Sequence, residues 1–147
     1  MSGFLFDTNI PSETVKLRPD PRVMSCINAQ PNSTIFISAL TIGELRRGFV
    51  TMPLSEAERR KRLEQWLERD VMLWFNDRIL PITTEIADRW GVIDGTCQSR
   101  GTPANTADGL IAATALEHGL TVATRNVKDF ARFEPFGVKF FNPWETK

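Results

Sequence analysis

Three carboxylates stand where carboxylates are costly. Asp7 closes the apolar run Gly3-Phe4-Leu5-Phe6, and Glu44 lies inside Ile42-Gly43-Glu44-Leu45. Asp108 opens the run Asp108-Gly109-Leu110-Ile111-Ala112-Ala113-Thr114-Ala115. An ionised carboxylate left unpaired in apolar surroundings is strongly penalised, so such groups are usually paired or bound to a metal. Acids drawn from the start, the first third and the last third of the chain point to one shared cation and hence to a metal-dependent hydrolase. An oxygen-rich ligand set with little nitrogen or sulfur suits Mg²⁺ or Mn²⁺. Such ions support phosphodiester hydrolysis by activating water and stabilising the leaving oxygen. No imidazole is needed for this chemistry, and His118, just before Gly119, reads as a helix end.

Each acid also has an architectural use. Asp7 could close an Asx-type turn, Asp108 could complement a helix dipole, and Glu44 could pair with Arg46 or Arg47 at the surface. The matching strand–helix contexts of the three favour the chemical reading. Asn126 adds no charge but can hydrogen-bond a water or ligate weakly. Asp129 is either a fourth acid or the cap of a turn at Val127–Phe130. Arg46 and Arg47 are nearest in sequence to the expected pocket and are the candidates for substrate phosphate. The denser run Arg59-Arg60-Lys61-Arg62 is surrounded by Glu56, Glu58, Glu64 and Glu68 and reads as a solvated, salt-bridged helix face.

The elements that must carry these residues alternate between short apolar strands and helices. Strands are expected at 3–6, 34–38, 121–124 and 138–141, with at best a short one at 79–82. The stretch Thr8 to Ser12 reads as loop or early turn. Helices are expected from Pro21 to about Ala29 and after a cap at Ser38 or Thr41. Another is expected from the capping-box sequence Ser55-Glu56-Ala57-Glu58, with a break near Asp70 before Phe75. A helix starting at Thr83 or Thr84 turns Ile86, Trp90, Ile93 and Cys97 inward, and a last one runs from an Asn105 cap to Gly119. This pattern predicts an α/β fold with a small, mostly parallel sheet flanked by helices. In such sheets ligands bind beyond the carboxyl ends of the strands, where Asp7, Glu44, Asp108, Asn126 and Asp129 would then gather.

Composition sets the bounds. The 147 residues suit one domain, 1–147, with a sizeable core. Eighteen basic and 18 acidic residues leave no net charge, which neither favours nor excludes nucleic acid, because phosphate binding depends on local charge. No apolar run is long enough to span a membrane, and no secretory signal is visible, so a cytoplasmic protein without membrane contact is expected. Cys26 and Cys97 are expected to be reduced thiols.

Four segments together carry a family resemblance. They are Phe6-Asp7-Thr8-Asn9; Ser38-Ala39-Leu40-Thr41-Ile42-Gly43-Glu44-Leu45-Arg46-Arg47-Gly48; Ala107 to Ala115; and Ala123-Thr124-Arg125-Asn126-Val127-Lys128-Asp129-Phe130. In order and spacing the chain resembles PIN-domain ribonucleases, most nearly the toxins of bacterial VapBC toxin–antitoxin pairs in their FitB-like branch. The likeness extends to Phe141-Asn142-Pro143-Trp144. It implies a PIN fold and Mg²⁺- or Mn²⁺-dependent cleavage of RNA to a 5′-phosphate and a 3′-hydroxyl. Asp7, Glu44 and Asp108 match the family's three recurrent acids. The fourth acidic position falls at Asn126 or is served by Asp129, which leaves one or two ions open. Thr124 matches a hydroxyl-bearing position near the pocket, and Asn9 is a further candidate. The resemblance also implies a homodimer and a cognate VapB- or FitA-like antitoxin that alone contacts operator DNA. The apolar middle helices, with Leu63, Trp66, Leu67, Met72, Leu73, Trp74 and Phe75, suit either a partner surface or the core. Two other readings are a non-catalytic PIN-like module that binds RNA or protein, and a phosphatase using Asp7 as nucleophile. The latter needs a second acid two residues on, where Asn9 stands.

Overall fold

The computed structural model describes residues 3–145; the two residues at each end of the expected domain lie outside the described part. Its centre is a five-stranded sheet, all parallel, in the order β3-β2-β1-β4-β5. The strands are β1 (Phe4–Phe6), β2 (Ile35–Ser38), β3 (Ile79–Leu80), β4 (Thr121–Ala123) and β5 (Phe140–Phe141). Eight helices connect them: α1 (Asn9–Glu13), α2 (Pro21–Asn28), α3 (Ala39–Val50), α4 (Ala57–Gln65), α5 (Met72–Phe75), α6 (Thr84–Ser99), α7 (Thr106–His118) and α8 (Val127–Phe130). Short 3₁₀ turns complete the connections.

Strand side chains alternate between two faces, and the sheet accordingly separates two cores. Leu5 and Val122 point into one core with Ile86, Ile93, Cys97 and Ile111 of α6 and α7. Phe6, Ile35, Ile37 and Ala123 point into the other with Val23, Leu45, Leu67 and Phe75. Helix α7 is buried over most of its circumference, with Gly109 and every residue from Ile111 to Ala115 shielded. This explains its nearly unbroken apolar sequence.

The expected caps at three helix starts form. Ser38 accepts the Leu40 amide, Thr83 the Ile86 amide, and Asn105 the Ala107 and Asp108 amides. Gly119 closes α7 in the left-handed conformation. Three local expectations need correction. Residues from Asn9 form a helix, not a loop, because Pro11 sits early in it, where its missing N–H costs nothing. The capping box at Ser55 does not form; Leu54–Glu56 is a 3₁₀ turn, and the residue at the cap of α4 is Glu56, without a side-chain bond. The stretch through Asp70 does not break but widens into a π-helical segment, Trp66–Val71, which keeps Leu67 and Val71 buried before α5. Both cysteines are free, as expected.

Helices α6 and α7 meet so closely that a Cβ on Gly109 would lie 2.9 Å from the Trp90 ring. Gly109→Ala is therefore expected to destabilise the fold by roughly 1–3 kcal/mol through overpacking. The helix propensity of Ala, worth about 1 kcal/mol over Gly, offsets only part of this. A lowered urea midpoint with an altered Trp emission spectrum would register the change.

Candidate active site

Chain order 3-2-1-4-5 reverses direction at β1, so the switch between β1 and β4 opens a crevice at the carboxyl edge. Asp7 sits at that crevice. It follows β1 directly, and its N–H continues the ladder to the Ala123 carbonyl at 2.9 Å. Its side chain is only 6% exposed as a residue, yet both oxygens are occupied. The Thr124 hydroxyl donates to Oδ2 at 2.7 Å, and the Thr8 amide donates to Oδ1 at 2.9 Å. Thr124 itself accepts the Asn126 amide at 3.0 Å, which leaves its single hydrogen for Asp7. A carboxylate oxygen has two lone pairs, so each Asp7 oxygen keeps one for another partner.

Glu44 reaches the crevice from α3, whose start is fixed by the Ser38 cap at the end of β2. Its Oε1 accepts the Thr8 hydroxyl at 2.7 Å. Asp108 arrives from the opposite direction. Helix α7 runs back toward the start of β4, so its first turn, pinned by Asn105, lies at the same sheet edge. Asp129 stands in the first turn of α8, exposed, with Arg132 at 3.8 Å.

Electrostatics registers the convergence. Asp108 is pushed up to about 6, first by burial and then by the charges of Asp7, Asp129 and Glu44; Arg132 opposes this. Asp7 is raised as well, chiefly by burial, with its Thr124 and Thr8 bonds opposing and the charges of Glu44 and Asp129 adding to the rise. Four acids from distant parts of the chain thus share one field. The donor set is all oxygen, which fits Mg²⁺ or Mn²⁺. Among the described residues no group of three or more His, Cys, Asp or Glu side chains stands close enough together to hold a metal ion. Mg²⁺ can bind through one or two carboxylates and keep several waters.

The other sequence candidates divide. Thr124 is fully buried and bonded to Asp7, at the centre of the cluster. Asn126 lies just beyond β4 at the start of α8, with its backbone tied to Thr124 and its surface exposed. Asn9 uses its side-chain oxygen to accept the Arg125 amide at 3.4 Å, tethering α1 to the loop after β4. Arg46, a candidate for substrate phosphate, is engaged by Glu64 at 2.9 Å and Glu68 at 3.0 Å, clamping α3 to the α4 region. Arg47 is exposed. The run from Arg59 forms the expected surface pairs, Arg59 with Glu56 and Arg60 with Glu64. Sequence reasoning passed over two residues. Thr8 was visible only as a hydroxyl next to Asp7, and Arg132 only as a cation three residues after Asp129. Arg132 also donates to the Pro103 carbonyl, joining the α8 region to the loop before α7.

Comparison with known proteins agrees with this fold. The PIN domain family matches residues 4–134, and the chain belongs to that family. It is 38% identical over 141 residues to VapC ribonuclease Y4jK of Sinorhizobium fredii (strain NBRC 101917 / NGR234), covering 96% of this chain and 97% of the relative. It is 35% identical over 140 residues to toxin FitB of Neisseria gonorrhoeae (strain ATCC 700825 / FA 1090), covering 95% of this chain and 97% of the relative. Its fold superposes on the crystal structure of FitAcB from Neisseria gonorrhoeae with a TM-score of 0.87 at 34% identity, covering 97% of this chain and 99% of that one.

The raised Asp108 carries a sign for stability. In the unfolded chain its carboxyl ionises near the ordinary value of 3.8, and in the fold at about 6. The folded state therefore holds its proton longer, and this contribution to stability fades as pH rises from about 4 through 6. In chelator, thermal melts of the wild type should lose stability across that window. Asp108→Asn should melt higher than wild type at pH 7.5 and show a flatter pH profile.

Proposed function

We propose that this chain is a divalent-metal-dependent endoribonuclease and the toxin half of a toxin–antitoxin pair. The observation that carries this reading is the shared field of Asp7, Glu44, Asp108 and Asp129 at the carboxyl edge of a parallel sheet. The names of its relatives support both halves of the proposal: VapC ribonuclease for the chemistry, toxin FitB for the role.

Asp7 and Asp108 would hold the main ion, Mg²⁺ or Mn²⁺, and relief of their mutual repulsion would favour its binding. When bound, the ion lowers the pKa of a water and stabilises the leaving oxygen of a phosphodiester. The two hydrogen bonds that Asp7 accepts would fix its orientation and favour its charged form against the burial that raises it. Glu44, with Oε1 on Thr8, would use Oε2 to orient the nucleophilic water or to share the metal. Asn126 and Asp129 would complete the rim, Asp129 in place of a fourth acid at position 126. The exposed Arg47 remains the candidate for substrate phosphate.

The partner side of the proposal is a cognate antitoxin and a homodimer in which each chain forms one PIN domain, 1–147. A solved complex of FitAB bound to an IR36 DNA fragment matches this chain with a TM-score of 0.86 and 31% identity over 98% of its length. It supports a toxin–antitoxin assembly that binds DNA; that the operator would be contacted through the antitoxin is part of the proposal. The middle helices leave Leu73 80% and Met72 43% exposed, apolar area suited to a protein partner. No described helix is long and apolar enough to cross a membrane, and we place the activity in the cytoplasm.

Asp7→Asn should keep the far-UV circular dichroism of the wild type and lose about 100-fold or more of Mn²⁺-dependent cleavage of single-stranded RNA. Wild-type cleavage by that variant would refute the assignment. Mn²⁺ and RNA binding by the wild-type chain without turnover would instead support a non-catalytic RNA-binding module, the reading that the neutral Asn126 favours.

A further inference from the structure

We infer that the Thr8 hydroxyl is a positioning group that locks the Glu44 carboxylate against Asp7; the inference rests on the proposal that these acids form the nuclease site. One residue serves both acids. The Thr8 amide donates to Asp7 Oδ1 at 2.9 Å, and its hydroxyl donates to Glu44 Oε1 at 2.7 Å. The hydroxyl has one hydrogen, and that hydrogen is committed to Glu44.

Thr8 is itself immobilised. Its carbonyl accepts the Ser12 amide at 3.3 Å and the Ser12 hydroxyl at 2.9 Å, which fixes the start of α1. Its β-branched side chain has restricted χ1 freedom. Glu44 is the reverse case: a long, rotamer-rich side chain, partly exposed, on a helix 36 residues away. The Ser38 cap sets where α3 begins but leaves the Glu44 rotamer open. The Thr8 bond is the described contact that selects one rotamer, and it holds Glu44 on the residue that also bonds Asp7, close enough for the two charges to interact. The arrangement parallels the outer-shell hydrogen bonds that orient metal-binding carboxylates, whose loss typically costs 10–100-fold in affinity or activity.

Thr8→Val removes the hydroxyl and keeps the shape; Thr8→Ser keeps the hydroxyl. With folding checked by circular dichroism, Thr8→Val should lower kcat on single-stranded RNA by about 10-fold or more with KM little changed. Calorimetric titration of the RNA-free protein with Mn²⁺ should show weaker binding for Thr8→Val and near wild-type binding for Thr8→Ser. Thr8→Val should cost little further once Glu44→Ala is present, since Ala lacks the oxygen that accepts the Thr8 hydroxyl. Should Thr8→Val fold poorly, Thr8→Ala takes its place in the same comparisons. Wild-type kcat and Mn²⁺ affinity in the hydroxyl-free variant, no rescue by Ser, or full additivity with Glu44→Ala would overturn the inference. Wild-type cleavage by Glu44→Gln itself would instead refute the acid assignment beneath it.

Discussion

Burial of like charges at one sheet edge is the constraint around which this molecule is arranged. Burial first, and then the charges of Asp7, Asp129 and Glu44, push Asp108 up to about 6, even with Arg132 opposing. A fold selected only for stability would disperse such groups or pair each with its own cation. Here the cations lie mostly elsewhere: Arg46 is spent on Glu64 and Glu68, and Arg60 on Glu64. The cluster is thus a local cost that a bound divalent ion would relieve, which is the reason to read it as a site.

The rest of the architecture holds these charges in place. An all-parallel sheet sends the ends of β1, β2 and β4 to one edge, and α7 returns to that edge with its first turn. Two cores, one on each face, fix the sheet between helical layers. The fine placement comes from small hydroxyl residues. Thr124 and Thr8 together satisfy both oxygens of Asp7, and Thr8 carries the link on to Glu44. The scaffold brings the acids to the same edge, and the hydroxyls decide how they face one another.

Much of this was legible in the chain. Buried strands announced themselves as short apolar runs at Phe4–Phe6 and Ile35–Ser38. The caps Ser38, Thr83 and Asn105 marked helix starts because a side-chain oxygen there satisfies free amides. Parallel topology then predicted that Asp7, Glu44 and Asp108 would meet. What escaped sequence reasoning depends on distance in space. Whether Arg46 faces solvent or Glu64 is decided by how α3 lies against α4, which no local pattern encodes. The π-helical widening at Trp66–Val71 buries Leu67 and Val71, and no local sequence pattern marks it. Thr8 was invisible as a link because its partner lies 36 residues away. The Ser55 capping box failed because the chain leaves Pro53 through a 3₁₀ turn, so Ser55 never occupies the cap.

The central claim, that these acids grip one divalent ion, is tested most directly by a crystal soaked in Mn²⁺ and measured at a wavelength where manganese scatters anomalously. The account predicts a strong anomalous peak in contact with Asp7 and Asp108, near Glu44, that disappears in Asp7→Asn crystals treated alike. A map without a peak at that sheet edge, or with one that persists unchanged in the variant, would contradict it.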